Sequence, residues 1–157
     1  MAPVVGAATC DADPVALMPA RVVVVDDDVA ARELLCEVLT GGGVEVVGEA
    51  GNGLDGVRTA LELEPDVVLM DLRMPVLGGI EATQQLTEQL PCTQVVILTA
   101  YGDHESQRGA GRAGAYSYLL KDTSTKLLLE VVNQAAKFKR GLEAREKLEA
   151  RETVAEP

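Results

Sequence analysis

Val67-Val68-Leu69-Met70-Asp71 is the stretch that decides the fold. Its four apolar residues predict a short strand buried on both faces, as in a parallel sheet. Leu72-Arg73-Met74-Pro75 follow and end the pattern. In an open α/β sheet, ligands bind outside the carboxyl ends of the strands. The carboxylate of Asp71 is therefore predicted to lie at a functional edge.

Three other short apolar runs also end in polar groups. They are residues 22–25 before Asp26-Asp27-Asp28, residues 95–98 before Thr99-Ala100, and residues 116–120 before Lys121. Parallel strands bring their carboxyl ends to one edge of the sheet. We therefore expect the acids, the hydroxyl and the amine to meet in one crevice.

Helices are predicted between these strands. Ala31, Leu34, Leu35 and Val38 have the spacing of an amphipathic helix, which Gly41-Gly42-Gly43 would end. Residues 44–48 read as a second strand, and residues 102–114 as a weakly anchored helix. Five such βα units with right-handed crossovers predict an α/β fold with a doubly wound, parallel, five-stranded sheet. The expected strand order is 2-1-3-4-5, followed by an extended C-terminal helix.

The two ends of the chain differ from the middle. Residues 1–19 are aperiodic and are predicted as a flexible leader, before a domain at residues 20–138. Residues 139–157 are highly charged and are predicted as a helical extension or linker, with Gly141 as its weak point. Pairing of this helix between two copies remains open.

Composition excludes several classes of function. The formal net charge of -11 argues against nucleic-acid binding by this chain alone, since that requires clustered cations. The three cysteines are widely separated and lack metal-binding or redox spacing. We expect no secretory signal and no membrane span, and therefore a cytoplasmic protein.

The acids at the crevice predict a metal site. Asp26, Asp27 and Asp71 would place three negative charges together, and they cannot all stay ionised without a compensating cation. Oxygen ligands favour a hard ion such as Mg²⁺. A carboxylate beside Mg²⁺ can attack phosphorus, while Lys121 and Thr99 neutralise the phosphoryl oxygens.

The order and spacing of these groups resemble the receiver domain of bacterial response regulators, over residues 21–136. The acidic pair, the phosphoacceptor, the hydroxyl and the lysine of that family fall on Asp26-Asp27, Asp71, Thr99-Ala100 and Lys121. Met74-Pro75 and Gly78-Gly79 match the loop after the phosphoacceptor, and Tyr118 matches a switch aromatic.

The resemblance implies a role for each of these residues. Asp71 would accept a phosphoryl group from a sensor histidine kinase, with Mg²⁺ as cofactor. Asp27, Asp71 and the backbone carbonyl of Arg73 would contact the metal, and Asp26 would act through water. Thr99, the backbone N–H of Ala100 and Lys121 would hold the phosphoryl group. Such a domain catalyses its own phosphorylation and slow dephosphorylation but is not a metabolic enzyme.

One feature points to a subfamily. Lys121 precedes Asp122, where many receivers have proline after a cis bond. Lys-Asp is similar to the NarL/FixJ type, usually attached to a LuxR-type helix-turn-helix. Two outputs remain open: a stand-alone receiver, or the N-terminal part of a DNA-binding regulator, with a homodimer as one possible product of phosphorylation.

An enzyme class offers an alternative. Asp26-Asp27-Asp28 also matches the Asp-x-Asp of a Mg²⁺-dependent phosphatase of the haloacid-dehalogenase type, with Asp26 as nucleophile. That class needs Thr or Val where Ala30 stands and gives Asp71 no role, so we favour the receiver. Asp28 is read as a helix cap, and His104 as a surface residue.

Overall fold

The structure is a computed structural model that describes residues 18–155, in which five strands alternate with five helices. Most of the predicted leader lies outside the described residues. The strands are β1 Arg21–Val25, β2 Glu45–Ala50, β3 Val67–Met70, β4 Gln94–Thr99 and β5 Ser117–Leu120. The helices are α1 Val29–Gly41, α2 Gly53–Leu63, α3 Gly79–Gln89, α4 His104–Ala113 and α5 Thr125–Ala155.

All five strands form one parallel sheet in the order β2-β1-β3-β4-β5. The order reverses at β1 and β3, which pair directly, with Val25 opposite Met70. A reversal of this kind opens a crevice at the carboxyl ends of the strands. The predicted doubly wound α/β fold and its strand order are confirmed.

Side chains alternate between two cores because successive strand residues point to opposite faces. Val22, Val24 and Leu69 face one core, which α1 and α5 cover. Val23 and Met70 face the other, which α2, α3 and α4 cover. Both faces of the sheet are therefore buried, which explains why the central strands are uniformly apolar.

The start of α1 fixes the loop that carries the acids. Asp28 is its N-cap: the carboxylate accepts hydrogen bonds from the N–H groups of Ala30 and Ala31. The predicted capping role is confirmed. At α4, the only buried residues are Ala110 and Ala113, which agrees with the weak anchoring predicted for this helix. His104 is exposed at its start, as predicted.

An ion cluster at the opposite end of the sheet joins α5 to β3. Asp66, which is 4% exposed, directly precedes β3. Its carboxylate accepts from Arg140 Nη2 at 2.9 Å, from the N–H of Arg21 at 2.9 Å, and contacts Lys139 Nζ at 3.2 Å. Arg140 also donates to the carbonyls of Met18 and Pro19. Helix α5 is thus attached to the domain at its middle.

Beyond this cluster α5 continues without interruption through Gly141 to Ala155. The predicted extension of the C-terminal helix is confirmed. The boundary that the sequence places after residue 138 stays a prediction.

Peptide bonds of residues 18–155 are all trans, including the one between Lys121 and Asp122. In the same part of the chain, no helix combines the length and the apolar character needed to cross a bilayer.

Candidate functional site

Backbone pairing at the end of the sheet places two acids side by side. The N–H of Asp26 donates to the carbonyl of Ala50, and the N–H of Asp71 donates to the carbonyl of Val25. Each acid is therefore held by the strand adjacent to its own. This is the point where the strand order reverses, as the sequence predicted.

Asp26, Asp27 and Asp71 form one acidic cluster. Each offers a carboxylate oxygen, and the three oxygens lie within 4.8 Å of one another. Asp26 and Asp71 are buried, whereas Asp27 is exposed. A cation of the size and hardness of Mg²⁺ fits a cluster of carboxylate oxygens open to water on one side, because Mg²⁺ normally keeps several waters.

Lys121 supplies the positive charge within this cluster. Its Nζ lies 2.8 Å from Asp26 Oδ2 and 3.3 Å from Asp71 Oδ2. Only the contact with Asp71 has the geometry of a hydrogen bond. Asp26 Oδ2 is buried and has no hydrogen-bond partner in the described part of the chain. In this structure the Lys121 ammonium at 2.8 Å compensates its charge, and a metal ion or an ordered water is suited to take that place.

Charge and burial shift two pKa values in the cluster. Burial raises the pKa of Asp71 above its ordinary value, the Lys121 ammonium lowers it, and the Asp26 carboxylate raises it again, with a net increase. For Lys121, burial lowers the pKa, but contacts with Asp26 and Asp71 outweigh burial, so the pKa is raised. The lysine therefore stays charged, and the raised pKa of Asp71 favours a proton or a metal ion on that carboxylate.

The loop after Asp71 is tightly constrained. The N–H of Leu72 donates to Asp71 Oδ1 at 2.8 Å, which orients the carboxylate. At Gly79, a Cβ atom would lie 2.0 Å from the carbonyl oxygen of Asp71, so a larger residue does not fit there. Val76 has a φ of 70°, and the N–H of Leu77 donates to the carbonyl of Pro75 across it. A β-branched residue rarely adopts this conformation, so the loop is locally strained.

Thr99 and Ala100 lie at the same edge. Thr99 ends β4 and is completely buried, and its Oγ1 accepts from the N–H of Tyr101 at 3.3 Å. The N–H of Lys121 donates to the carbonyl of Thr99 at 2.8 Å, which ties β5 to β4 beside the lysine. Ala100 is exposed next to the crevice. The predicted hydroxyl and amine thus occupy neighbouring strand ends.

Two aromatic residues and an arginine lie beside the crevice. The guanidinium carbon of Arg73 is 3.6 Å from the ring centroid of Tyr101, a cation–π contact. The hydroxyl of Tyr118 donates to the backbone carbonyl of Tyr101. Arg73 is therefore stacked on Tyr101, and Tyr118 is bonded to the segment after Thr99 rather than to Thr99 itself.

Sequence reasoning missed Arg32. Its Nη1 donates to the backbone carbonyl of Asp26 at 2.6 Å, so a residue of α1 holds the acidic loop. The signal available was a basic residue one turn into the helix that follows the acids. It was not distinctive, because helices of this chain carry many charges.

Known proteins resemble this chain over most of its length. Residues 22–133 match the family model of the response regulator receiver domain. The chain is 39% identical over 126 residues to the transcriptional regulatory protein LiaR of Bacillus subtilis, which is 80% of this chain and 60% of LiaR. It is 34% identical over 120 residues to the chemotaxis protein CheY of Thermotoga maritima, 76% of this chain and all of CheY.

Solved structures agree with the fold. The receiver domain of the response regulator NarL from Mycobacterium tuberculosis has a TM-score of 0.72 and 34% identity, covering 76% of this chain and 97% of that one. The matched region spans only about half to three fifths of several transcriptional regulators it resembles. These matches favour the receiver over the phosphatase alternative with Asp26 as nucleophile. The chain belongs to the response regulator receiver domain family.

Proposed function

We propose that Asp71 is the phosphoacceptor and that its donor is a phosphohistidine of a sensor histidine kinase. The observation that carries the proposal is the grouping of Asp71 with two further acids and Lys121 at one strand edge. A carboxylate oxygen of Asp71 attacks phosphorus, the P–N bond breaks, and its electron pair returns to the imidazole nitrogen. The transfer needs no oxidant and no reductant.

Mg²⁺ is the proposed cofactor. Asp27, Asp71 and the backbone carbonyl of Arg73 would bind it directly, and Asp26 through water. Bound there, the ion would neutralise phosphoryl oxygens during transfer. The three clustered carboxylates, among them the buried Oδ2 of Asp26, support this assignment. Lys121 would turn from the acids to the phosphoryl group, and its raised pKa keeps it positive for this purpose.

Phosphorylation would change the conformation around β4, β5 and α4. Thr99 and the N–H of Ala100 would bind phosphoryl oxygens, pulling on a segment to which Tyr118 is already bonded. Helix α4 is attached mainly by alanines, so little packing resists its displacement. A ligand shifts such an equilibrium only by its difference in affinity for the two states.

Hydrolysis of the acyl phosphate is proposed to be slow. Water must pass the exposed side chains near Asp71, and the Arg73–Tyr101 stack lies there. A stacked pair hinders this approach more than two separate side chains would, since each holds the other in place. The domain would then be active toward its own phosphoryl group and toward no metabolite.

The output and setting of the chain are further proposals. Its similarity to transcriptional regulators supports a role in transcription regulation, through a DNA-binding part beyond residue 157 or a separate partner. We propose a cytoplasmic location, a receiver domain over residues 20–138, and homodimer formation on phosphorylation. The net charge of -11 argues that the chain alone does not bind nucleic acid.

The test is intact-protein mass after incubation with acetyl phosphate, with and without Mg²⁺. Wild type should gain one phosphoryl group only with Mg²⁺, and Asp71→Asn should gain none. Asp28→Asn is the matched control: it alters a neighbouring acid that caps α1, and it should be phosphorylated as wild type. No gain by folded wild type, or equal gain by Asp71→Asn, would refute the assignment.

A further inference from the structure

Arg32 links the acidic loop to β2. Its Nη1 donates to the backbone carbonyl of Asp26 at 2.6 Å, and its Nε lies 3.3 Å from Glu49 Oε1. The contact with the carbonyl of Asp26 is partly buried, whereas the contact with Glu49 is exposed to water. One guanidinium group therefore bridges the main chain of the loop and a carboxylate on the neighbouring strand.

The carbonyl that Arg32 holds belongs to the peptide group that joins Asp26 to Asp27. A peptide group is planar, so fixing its oxygen also fixes the bond from which Asp27 starts. The rest of Asp26 is held by other contacts, since its N–H donates to Ala50 and its Oδ1 accepts from the N–H of Asp28. Arg32 supplies the contact that orients the connection between the two acids.

We propose that Arg32 is a positioning residue for the metal site. It sets the separation and direction of the Asp26 and Asp27 carboxylates before a cation arrives, and it acts through the peptide between them. Glu49 holds the guanidinium in the orientation that this requires. The inference rests on the proposed function, because it concerns Mg²⁺ at the same cluster.

Charge and position make opposite predictions for this residue. As a nearby positive charge, Arg32 would repel Mg²⁺, and its removal would tighten binding. As a positioning residue it prepares the ligands, and its removal would weaken binding. The sign of the change in Mg²⁺ affinity therefore separates the two roles without measuring phosphorylation.

The experiment is calorimetric titration of the full chain with MgCl₂. Arg32→Met should weaken Mg²⁺ binding by about 10- to 100-fold, the range seen when partners of metal ligands are removed. Arg32→Lys keeps the charge but loses the fork that reaches both oxygens, so it should weaken binding by a smaller factor. Arg58→Met is the matched control: Arg58 lines the same open cavity of about 520 Å³ and contacts Asp55 at 3.9 Å. It should bind Mg²⁺ at least as tightly as wild type.

Unchanged or tighter binding by Arg32→Met would overturn the proposal, as would equal weakening by Arg58→Met. If urea unfolding shows that Arg32→Met does not fold, Arg32→Lys decides, and wild-type affinity in that variant overturns the proposal. Wild type that binds no Mg²⁺ would refute the proposed function together with this inference. Wild type that binds Mg²⁺ but is insensitive to Arg32 would refute this inference alone.

Discussion

Replacing Asp66 with asparagine should destabilise the domain strongly, because Asp66 is the anion shared by two poorly exposed cations. Asp66 would lose two ion pairs: Oδ1 lies 3.2 Å from Lys139 Nζ, and Oδ2 lies 2.9 Å from Arg140 Nη2. At an effective dielectric constant of about 20, each is a Coulomb attraction of about 5 to 6 kcal/mol. The side chain of Asp66 is 5% exposed, so water screens this attraction only weakly.

The net loss of stability is smaller than the two Coulomb attractions together. Lys139 keeps Glu143 at 2.7 Å, and Arg140 keeps the carbonyls of Met18 and Pro19. Removing one partner of a buried ion pair costs about 3 to 5 kcal/mol. We expect Asp66→Asn to lie at the lower end, at about 3 kcal/mol. The amide oxygen can still accept the N–H of Arg21, which limits the loss further.

Urea unfolding followed by circular dichroism measures this effect. With a slope of about 2 kcal/mol/M, the midpoint should fall by about 1.5 M. Glu88→Gln, an exposed acid on α3, is the control and should change the free energy of unfolding by less than about 0.5 kcal/mol. A loss below about 1 kcal/mol for Asp66→Asn would show that the cluster is solvated, and the reasoning would be wrong. Phosphorylation by acetyl phosphate should persist in the folded variant, because Asp71 lies at the other end of β3.

Three further outcomes are expected. The pKa of Asp71 is raised in the folded protein, so ionisation of this carboxyl costs stability as the pH rises through that pKa. Without Mg²⁺, Asp71→Asn should therefore be more stable than wild type at pH 7, by on the order of 1 kcal/mol. This advantage should vanish at low pH, where wild type and variant both carry a neutral side chain at position 71. An advantage that persists in acid would contradict the prediction. Lys121→Met removes a cation that contacts the carboxylate oxygens of Asp26 and Asp71. Calorimetry should therefore show Mg²⁺ binding that is about tenfold tighter, or ~1.4 kcal/mol. Weaker binding would contradict the role of the lysine as a counter-charge. Arg73→Ala and Tyr101→Ala should each shorten the phosphoryl lifetime by about 2- to 5-fold, because each removes a stacking contact of ~0.5–1 kcal/mol. The lifetime is measured by intact-protein mass after the phosphoryl donor is removed. The double variant should add little, and unchanged lifetimes would refute the shielding idea.

The fold and the acidic cluster could be predicted because they depend on local pattern. Four apolar runs end in polar groups, and parallel pairing brings such ends together whatever the details of packing. Asp28 could be recognised as a cap from its place before an amphipathic run. These features follow from periodicity and chain order alone.

Other contacts could not be predicted because they depend on how helices are set against the sheet. Asp66 and Arg140 are 74 residues apart, and nothing local links an acid before β3 to a basic residue midway along α5. Arg32 reaches the carbonyl of Asp26 only because α1 leaves the loop at a particular angle. The contact of Tyr118 with Tyr101 depends equally on the path of the loop after β4.

The attachment of α5 at Asp66 has a mechanical consequence. From Arg140 to Ala155 the helix is continuous, and at 1.5 Å per residue this arm is about 22 Å long. A tilt of about 10° around the ion cluster would move its tip by about 4 Å. A small rotation of the helix would therefore become, at the far end of the arm, a displacement as large as a side chain.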